Sequence, residues 1–131
     1  HMAESIAEGI REALPATNLK LFNLAKHDKN DVITEVFKSK LILVGSPTIG
    51  KGVTSATAGV LEMIEGLRFK NKKATAFGCY GWSGESVAKI GKILTASGFE
   101  LVSDGLKVLW DPDRDARAAC VEFGREVAGK V

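Results

Sequence analysis

Two glycine-bearing loops hold the residues best suited to chemistry. Ser46-Pro47-Thr48-Ile49-Gly50-Lys51-Gly52 gathers hydroxyls and exposed amides around a proline, and Cys79-Tyr80-Gly81-Trp82-Ser83-Gly84 sets two aromatic rings among glycines. Glycine lets backbone amides approach the heteroatoms of a ring closely, while Tyr80 or Trp82 offers an aromatic face for offset stacking. Such a pair of loops suits a flat, polar heterocycle. Either loop alone serves equally as a turn with aromatics capping a sheet; two at one sheet edge favour the ligand.

Other chemistries fit less well. Gly45 through Lys51 matches the first seven positions of a phosphate-binding loop, but Gly52 stands where Ser or Thr must ligate magnesium, and Pro47 removes an amide from the cradle. Gly81-Trp82-Ser83-Gly84-Glu85 resembles a serine-nucleophile elbow, yet Glu85 replaces the last glycine and no His follows Ser83. Cys79, Cys120, His1 and His27 have no zinc spacing, and two cysteines make no disulfide framework. At least one cysteine is expected to be buried.

The elements that position the loops follow from periodicity. Ile6, Ile10 and Leu14 recur at helical spacing until Pro15. Leu19 to Leu24 alternates and reads as a half-buried or edge strand. Asp28 caps a helix with Val32, Val36 and Phe37 facing inward. Lys40 to Gly45 is continuously apolar after its lysine, the pattern of a strand covered on both faces, and is placed centrally. After the first loop comes a helix with Val60, Ile64 and Leu67 inward, ending near Gly66; then a strand over 73–78 and the second loop. A helix carrying Val87, Ile90 and Leu94 closes at Gly98, and strand material at 99–102 and 106–110 is split by a turn at Asp104-Gly105. Asp111-Pro112 opens a last helix, whose buried stripe is Ala116, Cys120, Phe123 and Val127. Strands alternating with helices specify an α/β fold with a parallel sheet between helical layers, and ligands of such sheets bind beyond the carboxyl ends of the strands.

The 131 residues are 45% hydrophobic and 26% charged, enough for one core and too few for two full domains. His1 and Met2 read as a cloning remnant before a single domain over 3–131. The 18 basic and 16 acidic residues give a net charge of +2 and are interspersed, so no nucleic-acid-binding stripe is expected. No apolar run approaches the roughly 20 residues of a membrane span, and no secretory signal opens the chain. A cytoplasmic setting without membrane contact is expected.

The segments Phe22-Asn23-Leu24-Ala25, Asp28-Lys29-Asn30-Asp31, Val44 to Ile49, Gly66 to Lys72, and Ala76 to Gly84 resemble the flavodoxin-like domain of flavodiiron proteins, the group of flavorubredoxin and rubredoxin:oxygen oxidoreductase. That resemblance implies a flavodoxin-like three-layer αβα fold and an FMN cofactor. It also implies electron transport from a rubredoxin-like donor to a diiron domain that reduces oxygen or nitric oxide, so that this chain would be the flavoprotein part of an oxidoreductase. Ser46, Pro47, Thr48, Ile49 and Gly50 would line one side of the flavin. Cys79, Tyr80, Gly81, Trp82 and Gly84 would line the other, with Trp82 stacking on the ring. No catalytic or metal-ligating residue is assigned. Gly50-Lys51-Gly52 and Glu85 depart from the family's pattern.

Family members begin with a strand and a phosphate-wrapping loop, whereas this sequence starts inside the following helix. The expectation is therefore a truncated domain of four strands with impaired FMN binding. Either the strand at 19–24 slides over to pair with that at 41–44, or two chains associate as a homodimer, the preferred outcome. A shortened scaffold without activity of its own and a degenerate nucleotide-binding module are the alternatives.

Overall fold

A computed structural model describes residues 2–24, 26–46, 55–67, 72–80, 85–103, 105–109 and 114–130. Helix α1, Met2–Ala13, forms because Ile6 and Ile10 recur one turn apart, with Ala7 beside them on the buried face. Met2 is itself a buried residue of this helix. The Leu14 amide still donates to the Ile10 carbonyl at 2.8 Å, and Pro15, which lacks an N–H, ends the helix. Helix α2, Lys29–Lys38, starts at Asp28, whose carboxylate accepts from the Asn30 amide at 2.7 Å. Its far end is held by the Lys72 ammonium, which donates to the Phe37 carbonyl at 2.9 Å and also to that of Ser39. A cation at the negative end of the helix dipole thereby anchors α2 to the start of the neighbouring strand.

Strand β1, Leu41–Gly45, is followed by α3, Ser55–Leu67, then β2, Lys73–Tyr80, and α4, Glu85–Ala96. Two short strands, β3 at Glu100–Leu101 and β4 at Leu106–Leu109, precede α5, Arg114–Ala128. All pairings are parallel. β1 runs along β2 from Leu41 opposite Lys73 to Gly45 opposite Phe77. β3 takes the first two residues of β2, and β4 takes Phe77 to Tyr80. Together β3 and β4 act as one strand split by a detour. Gly105 makes the detour feasible: its φ is +102°, and a Cβ there would lie 2.7 Å from the Ala76 carbonyl oxygen. The Gly105 amide donates to the Ser103 hydroxyl at 3.0 Å, and the Thr75 hydroxyl to the Ser103 carbonyl at 3.4 Å, so both oxygens of Ser103 are bonded at the detour.

The sheet separates two apolar clusters. Val44 and Ile42 join Val36, Leu61, Ile64 and Ile90 on the side of α2, α3 and α4. Leu41, Leu43 and Phe77 join Ile6, Ile10 and Phe123 on the side of α1 and α5. α1 lies against α5 at unusually short range, because a Cβ on Gly9 would sit 1.9 Å from the Val121 carbonyl oxygen and one on Gly124 2.1 Å from that of Ile6. Gly98, with φ +99°, closes α4 as expected from the sequence.

Four expectations are corrected. Residues 19–23 are irregular rather than a strand, and the segment is held by side chains: Leu19 packs on one cluster, Phe22 and Leu24 on the other, and Lys20 pairs with Glu35 at 3.0 Å. It makes no ladder with β1. β1 therefore lies at an edge of the sheet, not at its centre, with Leu41, Ile42 and Leu43 only half-buried. The apolar run truthfully reported two covered faces, but faces and hydrogen-bonded edges are independent properties of a strand. Phe37 is 56% exposed, and the buried residues of α2 are Val32, Ile33 and Val36, so Phe37 falls one turn beyond Ile33, past the end of the covered stripe. Leu67, the last residue of α3, is 47% exposed, the buried stripe of the helix being Val60, Leu61 and Ile64.

Candidate functional site

The carboxyl end of the sheet is built from a few local constraints. In parallel pairing, alternate residues of a strand direct both backbone groups to the same neighbour. The Ser46 amide donates to the Phe77 carbonyl at 3.2 Å and the Lys73 amide to the Lys40 carbonyl at 2.8 Å, so Lys40, Ile42, Val44 and Ser46 face β2. Leu41, Leu43 and Gly45 direct theirs the other way. Gly45 must be glycine at this close approach, for a Cβ would meet the Phe77 ring at 2.2 Å. Its carbonyl accepts from the Thr57 hydroxyl on the first turn of α3, at 3.5 Å. Ser46 and Thr57 are 4% and 3% exposed, so the point where β1 ends is enclosed by protein.

β2 continues three residues past its last partner in β1. Cys79 and Tyr80 are its final residues, paired along the backbone with Val108 and Leu109 of β4. Of the residues singled out from the sequence, Ser46, Cys79 and Tyr80 thus stand at the same end of adjacent strands. Pro47, Thr48, Ile49, Gly50, Gly81, Trp82 and Gly84 lie outside the described residues. The segments holding them start from Ser46 and Tyr80 and lead into α3 and α4, so their roots adjoin. Adjacent parallel strand ends in register are a frame for a ligand lying across both.

Sequence reasoning passed over Thr57 and the fit between Gly45 and Phe77. A signal for Thr57 existed: it precedes Val60 and Ile64 by three and seven residues, which places its hydroxyl on the buried face of α3. For Gly45 and Phe77 there was none, since the contact joins different strands.

Elsewhere the described residues offer less. A groove of about 760 Å³ runs between the split strand and α5, lined by Leu101, Leu106 and Phe123 with Glu122 and Glu126 at its rim. Those carboxylates are already engaged, Glu122 with Arg125 at 3.0 Å and Glu126 with Lys130 at 3.6 Å. Cys120 is fully buried on the α1 and α5 side, and burial pushes its thiol above the ordinary range. Among the described residues, no three of His, Cys, Asp and Glu are grouped to hold a metal ion. No helix there is long and apolar enough to cross a membrane.

This chain is similar in sequence and fold to known proteins. The Flavodoxin family model matches residues 1–124. The anaerobic nitric oxide reductase flavorubredoxin of Aeromonas hydrophila is 50% identical over 127 residues, which cover 97% of this chain and 26% of the relative. That of Escherichia coli O1:K1 is 47% identical over the same length, again covering 26% of the relative. The chain spans about a quarter of the length of these relatives. Among solved structures, rubredoxin oxygen:oxidoreductase from Desulfovibrio gigas superposes with a TM-score of 0.91 at 31% identity, covering 98% of this chain and 32% of that one. A flavodoxin from the domain Archaea gives 0.84 at 24% identity, covering 98% of this chain and 87% of that one, a likeness of fold alone.

Proposed function

We propose that this chain, which belongs to the flavodoxin family, is the FMN-binding electron-transfer domain of a flavodiiron-type oxygen or nitric oxide reductase. One observation carries the reading: the segments that begin at Ser46 and after Tyr80 leave neighbouring parallel strands side by side at the carboxyl end of the sheet. The identity to flavorubredoxins supports it. FMN, when bound, supplies a ring that takes up and passes on electrons. The chain's own share is to hold and orient that ring. Ser46, Pro47, Thr48, Ile49 and Gly50 are assigned to one side, and Cys79, Tyr80, Gly81, Trp82 and Gly84 to the other, with Trp82 stacking. The buried root at Ser46, Gly45 and Thr57 fixes where the first of these segments begins. A rubredoxin-like protein is the proposed donor and a diiron domain the proposed acceptor.

Titrating FMN with the purified chain tests the reading. Saturable quenching of flavin fluorescence, lost in Trp82→Ala, is expected. The assigned residues address the ring, so riboflavin should compete with FMN to within about tenfold. Absence of saturable quenching for both flavins, with magnesium-dependent nucleotide binding in its place, would sink the proposal in favour of a degenerate nucleotide module.

The free edge of β1 favours a second reading, of assembly. Leu41 and Leu43 present N–H and C=O groups that no described residue pairs with, on a half-buried apolar strand. Such an edge is a template for strand addition, and we propose that two copies of the chain meet there. Light scattering on a size-exclusion column should report a dimer that Leu43→Pro, which removes an amide on the free edge and keeps an apolar side chain, converts to monomer; a monomeric parent chain at high concentration defeats this.

A further inference from the structure

We propose that Thr57 is a positioning residue for the flavin: its hydroxyl, bonded to the Gly45 carbonyl, ties the start of α3 to the end of β1 and so sets the stem of the loop between them. This rests on the flavin reading of that loop. Thr57 shares the buried face of α3 with Val60, Leu61 and Ile64, all within the apolar core. Valine would fill the same space without carrying a hydroxyl out of water, an exchange that costs free energy unless the hydroxyl is bonded. One bond it makes is to a carbonyl that the ladder cannot serve. Gly45 directs its carbonyl away from β2, at the edge where β1 has no neighbouring strand among the described residues, and Thr57 is a described donor it meets, at 3.5 Å.

The consequence is geometric. Ser46, whose amide is held by the Phe77 carbonyl, is the first residue of the proposed flavin loop, and Gly45 immediately before it is pressed on the Phe77 ring. Thr57 adds the third constraint from across the loop, joining residues twelve apart in the chain. Pinning both ends of a loop removes conformations that it would otherwise have to give up when a ligand binds.

The test compares Thr57→Val, which keeps the shape and deletes the hydroxyl, with Thr57→Ser, which keeps the hydroxyl. Flavin affinity, the visible spectrum of bound flavin, and amide exchange over 44–54 in the flavin-free chain are measured for each. Thr57→Val should bind FMN about three- to tenfold more weakly, as expected for one net hydrogen bond. It should also alter the bound-flavin spectrum and speed exchange over 44–54, while Thr57→Ser stays within about twofold of the parent. If the parent binds flavin and Thr57→Val matches it in affinity and spectrum, the positioning role is overturned while the flavin reading stands. If the parent binds no flavin, that reading fails, and unchanged exchange in Thr57→Val would independently refute the tether.

Discussion

Replacing Gly9 by alanine sets two effects of known sign against each other. In a helix interior, Gly→Ala gains about 1 kcal/mol of propensity, because the glycine backbone loses more freedom on folding. At Gly9 the added Cβ would lie 1.9 Å from the Val121 carbonyl oxygen, 2.8 Å from its carbon and 3.1 Å from the Arg125 nitrogen. These are backbone atoms of α5, so no rotamer change relieves the overlap; α1 must withdraw by about 1.1 Å to reach even 3.0 Å, giving up dispersion contact along the seam. Overpacking of this kind costs about 3 kcal/mol, the upper part of the usual range. The clash therefore wins by about 2 kcal/mol, or roughly 8 °C in Tm for a chain of this size. Gly66→Ala is the control, since no described residue lies within 4 Å of its Cβ position near the end of α3. The same chemical change there should stabilise by a few tenths to about 1 kcal/mol. Urea denaturation followed by far-UV circular dichroism measures both. Were Gly9→Ala as stable as the parent, the close approach of α1 and α5 would be wrong.

Other expectations follow from the same geometry. Gly105→Ala combines a φ of +102° with a Cβ 2.7 Å from the Ala76 oxygen, so it should lower stability by about 2–3 kcal/mol in the same denaturation assay. Burial raises the Cys120 thiol above its ordinary value of 9.0, so above that pH the unfolded chain releases a proton that the folded chain retains. Stability should then decline as pH rises through the alkaline range, and a Cys120→Ala variant compared over pH 7–11 should lack that part of the slope. Arg125 bonds Glu12 and Glu122 on an exposed surface, where such pairs are worth little. Arg125→Met should therefore leave the thermal unfolding midpoint nearly unchanged; a clear drop would contradict that reading.

What the sequence disclosed was governed by how local the cause is. Val87, Ile90 and Leu94 on α4, and Cys120, Phe123 and Val127 on α5, are buried as their spacing requires, since helical periodicity is a property of one segment. The cap at Asp28 and the stop at Gly98 were legible for the same reason. Residues 19–24 misled because alternation shows only which side chains can share a face; a strand also needs a partner for its backbone, and that partner is distant information. The segments 46–52 and 79–84 stand out in the sequence by glycine and aromatic content, and most of their residues lie outside the described ones; the packing at their roots was not legible. The Gly45 contact with Phe77 joins residues 32 positions apart, and the Thr57 bond crosses the whole first loop.

The seam between α1 and α5 also bears on the order of events during synthesis. Glu12 and Arg125 meet across it although 113 positions separate them in the chain. At typical ribosomal speeds of about 5–20 residues per second, roughly 6–23 s pass between the appearance of one side and of the other. Throughout that interval Ile6 and Ile10 lack the share of their packing that Phe123 and Val127 supply, and it is then that a chaperone or a neighbouring nascent chain finds its opening.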